Sequence, residues 1–188
     1  MSAAPLVRPL RADALRNRER LTEAAAAAFR DEGLDVAVDE IARRAGVGVA
    51  TLYRHFPAKT DLVVAVTEAV LGDLGAAAAV ALDGPDADVV ARFLDAALRH
   101  QCRNRGFLQA LAQQDLPEAA RRRLKRRVTE ILAPIVAAGH RSGAIRADVG
   151  ADELLVVVRM LGVVVATRGR GSNAPYLSIL LRGLAEAR

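Results

Sequence analysis

The chain has 188 residues, 52% of them hydrophobic and only 3% aromatic with no Trp, and its 27 Lys and Arg against 22 Asp and Glu give a formal net charge of +5. Such a chain is too apolar to stay disordered, and cores drawn from Ala, Leu and Val favour close-packed helices. The single cysteine, Cys102, excludes an intrachain disulfide or a thiolate metal cluster and fits a reducing, cytoplasmic compartment, while the basic excess suits an anionic polymer as partner.

Residues 1–10 carry Arg8 with no long apolar run after it, so they read as a loose arm and not as a secretory leader. A first helix is predicted over residues 12–30, where Leu21, Ala24, Ala25, Ala28 and Phe29 recur at helical spacing and Gly33 follows as a stop signal.

Residues 40–56 are the most informative stretch. They predict two short helices bent around Gly46, which supplies the positive φ that a tight corner needs. Ile41, Val47 and Leu52 are spaced to share a small core, and Ala42 is small where the second helix must pass. Asp39 and Glu40 suit the N-terminus of the first helix, and Pro57 ends the second. The second helix then exposes Thr51, Tyr53, Arg54 and His55, a surface suited to nucleic acid, while Phe56 reads as a core aromatic.

A long helix is predicted over residues 59–82 and a break at Asp83-Gly84-Pro85-Asp86. Further helices follow at about 89–103, at 107–113 and from Pro117 to Gly139, the last bent at Pro134. Two final helices, 151–168 and 175–187, are separated by the glycine-bearing loop 169–173. No segment alternates as a strand does, so the expected fold class is all-α. The longest apolar stretch noted, 154–166, is broken by Arg159 and falls short of the roughly 20 residues that a spanning helix needs.

Taken together, Phe29, Gly33, Ile41-Ala42, Ala45-Gly46-Val47, Thr51-Leu52-Tyr53-Arg54-His55-Phe56 and Lys59 resemble the DNA-binding domain of the TetR family of one-component transcriptional regulators. The resemblance implies a helix-turn-helix domain over residues 1–57, arm included, and a helical effector-binding and dimerisation domain over 58–188. It implies a homodimer on a palindromic double-stranded operator, acting as a repressor released by a small-molecule effector; an effector-independent regulator or an activator is the alternative. One departure stands out. Many members place Ser or Thr at the N-cap of the second helix, where this chain has Ala37, which removes one expected phosphate contact.

By the same resemblance Gly48, Val49, Ala50 and Tyr53 face base edges, Thr51, Tyr53, His55 and Lys59 hold phosphates, and Arg43 and Arg44 divide between a phosphate and solvent. With such short side chains, base choice rests on close backbone approach, thymine methyl contacts and the Tyr53 ring. Arg8, Arg11, Arg16 and Arg18 are expected to steer toward DNA nonspecifically. The basic run 121–127 reads as a solvated helix face and not as a second nucleic-acid site.

The resemblance also implies an effector cavity around His100, Gln101, Cys102, Arg105, Phe107 and Gln109, with Phe93 and Met160 as apolar walls. Leu154, Leu155, Val157, Val158, Leu161, Val164, Val165, Tyr176, Leu177, Leu180, Leu181 and Leu184 give the last two helices more aliphatic surface than one neighbour covers, which predicts a twofold four-helix interface. An enzyme is not expected, and neither cofactor nor metal: His55, His100 and His140 lie far apart in sequence, with no nucleophile triad, glycine-rich phosphate loop or ligand spacing.

Overall fold

A computed structural model describes residues 7–168 and 174–185, so the arm at 1–6 and the loop at 169–173 lie outside the described residues. Those described form helices joined by turns, in the order α1 (Val7–Glu32), α2 (Val38–Ala45), α3 (Val49–His55), α4 (Lys59–Leu82), α5 (Val89–Arg103), α6 (Arg105–Leu111), α7 (Glu118–Arg141), α8 (Ala151–Arg168) and α9 (Ala174–Leu184). A single 3-10 turn, Asp86–Asp88, bridges the break before α5. α1 begins well before the expected start at residue 12 and takes in part of the segment read as an arm. α7 runs on past Pro134 without interruption.

Two cores organise the chain. The first gathers Leu21, Ala25, Ala28 and Phe29 of α1 with Ile41, Ala42 and Ala45 of α2, Leu52 of α3, Phe56, and Leu62, Val63, Val66 and Val70 of α4. The second gathers Leu74, Ala78 and Ala81 of α4 with Phe93, Leu94, Ala97, Ile131, Leu132, Ile135, Leu154, Val158 and Leu161. α4 therefore serves as a wall of both, its front half in one core and its rear half in the other. It is long and apolar enough to cross a membrane by length and composition. Membership of two cores accounts for that composition, and the reading of 154–166 as the longest apolar stretch overlooked it.

The first core reaches beyond the N-terminal helices, because Phe107 of α6 and Leu116 and Leu124 further along are buried in it. Phe107 stacks on Phe29, both without exposed surface. The approach is close: a Cβ added at Gly106 would sit 2.2 Å from the Arg30 carbonyl oxygen. Only glycine lets α6 lie this near the C-terminal end of α1.

Candidate nucleic-acid interface

The corner between α2 and α3 is made by Gly46, whose φ of 64 and ψ of 37 place it in the left-handed region. Its N–H donates to the Arg43 carbonyl at 3.1 Å and the Val47 N–H to the Ala42 carbonyl at 3.1 Å, so the end of α2 is satisfied while the chain reverses. At the start of α2, Ala37 is the N-cap and makes no side-chain cap bond, as its side chain dictates.

α3 spans seven residues and has two faces. Leu52, with 1% of its surface exposed, points into the first core, and Phe56 packs there one turn later. On the opposite side Val49 and Tyr53, also one turn apart, are 36% and 48% exposed. Gly48, Ala50 and Arg54 are exposed around them, and Thr51 and His55 are half-buried at the margins. An isolated helix this short is unstable in water, so α3 is held by its inner stripe and its outer stripe is left for a partner. The Asp61 carboxylate accepts the Ala58 N–H at 2.9 Å and thereby sets the start of α4, where half-buried Lys59 is the first residue.

Arg43 and Arg44 both turn to Glu40. Arg43 donates Nε and Nη2 to the two carboxylate oxygens at 2.7 and 2.6 Å, and Arg44 donates Nε to Oε1 at 2.7 Å. Arg44 also reaches Glu32 at the end of α1, at 2.5 Å. These hydrogen bonds, Arg43 first, hold the Glu40 carboxyl down to about 2. Of the arginines read as steering groups, Arg16 is engaged by Asp13 on its own helix, and the side chains of Arg8 and Arg11 lie outside the described residues. Arg18 is exposed but engaged: it donates to the His55 carbonyl and lies over the Phe56 ring. Spacing gave no signal of this, because Arg18 and His55 meet only once α1 and α3 have packed.

The residues expected around an effector do not form one cavity. Phe93 is in the second core and Phe107 in the first. His100 is 3% exposed, and the Asn104 side-chain amide sits 3.4 Å from its Nδ1. Burial pushes the imidazole pKa down and the nearby Arg103 charge adds to this, with Asp73 opposing. Gln101 donates to the Val158 carbonyl of α8 at 3.2 Å, which brings it to the seam of α5 and α8, and Cys102 is half-buried against the second core. Arg105 and Gln109 are exposed. Met160, at 49% exposure, stands on the outer face of α8. Two clefts stand out elsewhere. One of about 140 Å³ is lined by Glu68, Arg123, Arg126, Arg127 and Glu130, and one of about 380 Å³ by Leu177, Ser178, Leu181, Arg182 and Ala185. Arg121 to Arg127 pair with Asp115, Glu118, Glu68 and Glu130, and Lys125 with Asp152, which is the solvated face expected of that run.

The residues expected at the subunit interface divide by burial. Leu154, Val158, Leu161 and Leu184 are buried in the protomer's own core, at 8% exposure or less. Leu155, Val157, Leu177, Leu180 and Leu181 pack partly against that core, and Tyr176 is half-buried. Among the described residues of α8 and α9, the large apolar groups that remain exposed are Val156, Met160 and Val163, which share one stripe of α8, and Ile179 of α9. Helical spacing marks a stripe but does not say which of two apolar faces turns inward. The side chain of Val165 lies outside the described residues.

A buried inner stripe, a glycine corner and an exposed outer stripe, carried on a larger helical body, define a DNA-binding transcriptional regulator of the helix-turn-helix class. Residues 21–66 match the family described as bacterial regulatory proteins, tetR family, and residues 85–186 the domain described as transcriptional regulator SbtR-like, C-terminal domain. The chain belongs to the TetR family. A TetR transcription regulatory protein from Mycobacterium vanbaalenii is 36% identical with a TM-score of 0.67, the alignment covering 95% of this chain and all of that one. PfmR of Thermus thermophilus is 26% identical with a TM-score of 0.64, over 89% of this chain and 100% of that one. An HTH-type transcriptional regulator of Staphylococcus aureus is 44% identical over 54 residues, 28% of this chain; the match spans only 29% of that relative's length. These relatives are regulators and not enzymes.

Proposed function

We propose that the chain is a homodimeric repressor that reads a palindromic operator through paired α3 helices and is released by a small molecule bound in its C-terminal part. The observation that carries this reading is the two-faced α3, with Leu52 and Phe56 buried while Val49 and Tyr53 are presented to the outside. In this reading residues 1–57 form the reader and 58–188 the effector-binding and dimerising part. Gly48, Val49, Ala50 and Tyr53 meet base edges, and Thr51, His55 and Lys59 meet phosphates. Arg43, with 73% of its side chain exposed, is the member of its pair placed to exchange Glu40 for a phosphate; Arg44, at 31%, is a strut between α1 and α2.

Two copies meet through α8 and α9, with Val156, Met160 and Ile179 as the apolar groups to be covered. The effector enters the seam of α5 and α8, where Gln101 supplies a polar group beside the Val158 carbonyl. It acts by preferring a conformer in which the two readers no longer match a spacing of about 34–36 Å, one turn of duplex. Its effect on operator affinity is limited to that preference.

Selection of bound duplexes from a random DNA pool tests the reading. Enrichment of two inverted half-sites centred about one helical turn apart is the expected result, with affinity falling steeply as salt is raised. A pool without enrichment, or binding indifferent to salt, overturns it.

A further inference from the structure

We propose that Arg18 is a positioning residue for DNA recognition, fixing the C-terminal end of α3 from α1 so that Tyr53 and its neighbours meet the groove in one orientation. This rests on the reading of α3 as the groove-facing helix. Arg18 Nη1 donates to the His55 carbonyl at 3.2 Å, and its guanidinium carbon lies 4.4 Å from the centroid of the Phe56 ring. His55 is the last residue of α3 and Phe56 its C-cap, whose N–H returns to the Leu52 carbonyl at 2.8 Å.

The last carbonyls of a helix lack partners within it, and a cation beside them complements their partial negative charge. Arg18 supplies both at a single point. Phe56 is 1% exposed, so its ring is fixed by the first core, and the Arg18 guanidinium is anchored over that fixed ring. Two residues along α1, Arg20 Nη2 lies 3.5 Å from the Gly46 carbonyl oxygen, at the other end of the turn and helix. Side chains of α1 thus reach both ends of the segment Gly46 to Phe56. The guanidinium, with several N–H donors spread over a planar group, covers the ring and still donates to the carbonyl, which the compact ammonium of a lysine does not match.

The rival role for Arg18 is a direct phosphate contact, and the two roles differ in their response to Lys and to salt. The full-length chain, Arg18→Lys, Arg18→Met and Tyr53→Ala are each titrated with the selected operator duplex and with random-sequence duplex over a range of salt, and their thermal midpoints recorded. Both Arg18 variants are expected to lose about tenfold in operator affinity, as for removal of one charge-assisted hydrogen bond. Their affinity for random duplex and their slope of log affinity against log salt stay those of the parent. Parent-like operator binding by Arg18→Lys, together with a slope reduced by about 0.9 per protomer in Arg18→Met, assigns a phosphate contact and overturns the proposal. Parent-like binding by both variants also overturns it, as does an equal loss on both duplexes that tracks the fraction unfolded. If Tyr53→Ala also binds as the parent does, the failure belongs to the groove-facing reading and not to Arg18 alone.

Discussion

Phe107 stacks on Phe29 with ring centroids 6.2 Å apart and planes 13° from parallel, which makes α6 part of the reader's core although it follows α5 in the chain. The Gly106 backbone, one residue before, lies so close to α1 that a side chain there meets the Arg30 carbonyl. Gly106→Ala is therefore expected to push α6 away from α1 and lower the unfolding free energy by about 1–3 kcal/mol, as overpacking does elsewhere. Urea denaturation checks this; an unchanged midpoint shows that the joint yields without cost.

Tyr53→Ala and Lys59→Ala are each expected to weaken operator binding about tenfold or more while leaving the thermal midpoint near that of the parent, since neither side chain is buried. Lys59→Ala lowers the salt slope as well. Arg43→Ala joins this group, whereas Arg44→Ala acts through stability by releasing Glu32 and Glu40. Fluorescence anisotropy with labelled operator separates the two classes, and unchanged affinity for both Tyr53→Ala and Lys59→Ala removes the assigned contact surface.

Met160→Asp places a charge in the exposed stripe of α8 and is expected to dissociate the dimer without unfolding the protomer. Leu177→Asp would also break packing within the protomer, because Leu177 lies partly against its core. Sedimentation velocity of Met160→Asp is the cleaner measurement, and an intact dimer places the interface elsewhere.

His100 gives a pH dependence whose sign is fixed. Burial disfavours the imidazolium, so its folded pKa lies below the ordinary 6.5 while the unfolded chain titrates near 6.5. Between those two values the unfolded state binds more protons, so stability is full above about 6.5 and declines as pH falls through that value toward the folded pKa. Urea midpoints measured from pH 7.5 down to 5 are expected to fall for the parent and to fall less for His100→Leu. Parallel profiles indicate that the imidazole titrates alike in both states. Glu40 acts in a separate, more acidic window: its contribution is present above 4.5 and is lost as pH falls toward about 2.

Helical class, element order and most boundaries were legible because they follow from short-range signals: the period of the apolar residues, Gly46 at a corner, Pro57 after a helix. The outer stripe of α3 was legible for the same reason, since Val49 and Tyr53 are one turn apart and Leu52 and Phe56 form the opposite stripe. What failed depends on contacts distant in sequence. Phe93 and Phe107 look alike as aromatics fourteen positions apart, yet the bend at Asn104 sends them into different cores. Leu154 and Met160 are both apolar residues of α8, but only the packing of α5 and α7 decides that the first is enclosed and the second faces outward. Arg18 was indistinguishable from any other surface arginine until α3 lay across α1.

A single α4 shared between two cores has a mechanical corollary. Its 24 residues make a rod of about 36 Å at 1.5 Å per residue, so tilting it by about 5° about its rear end swings Lys59 through about 3 Å. That arc is as long as a hydrogen bond. A tremor small enough to be absorbed by side-chain repacking around Ala78 and Ala81 is thus magnified, at the far tip, into the difference between touching a duplex and missing it.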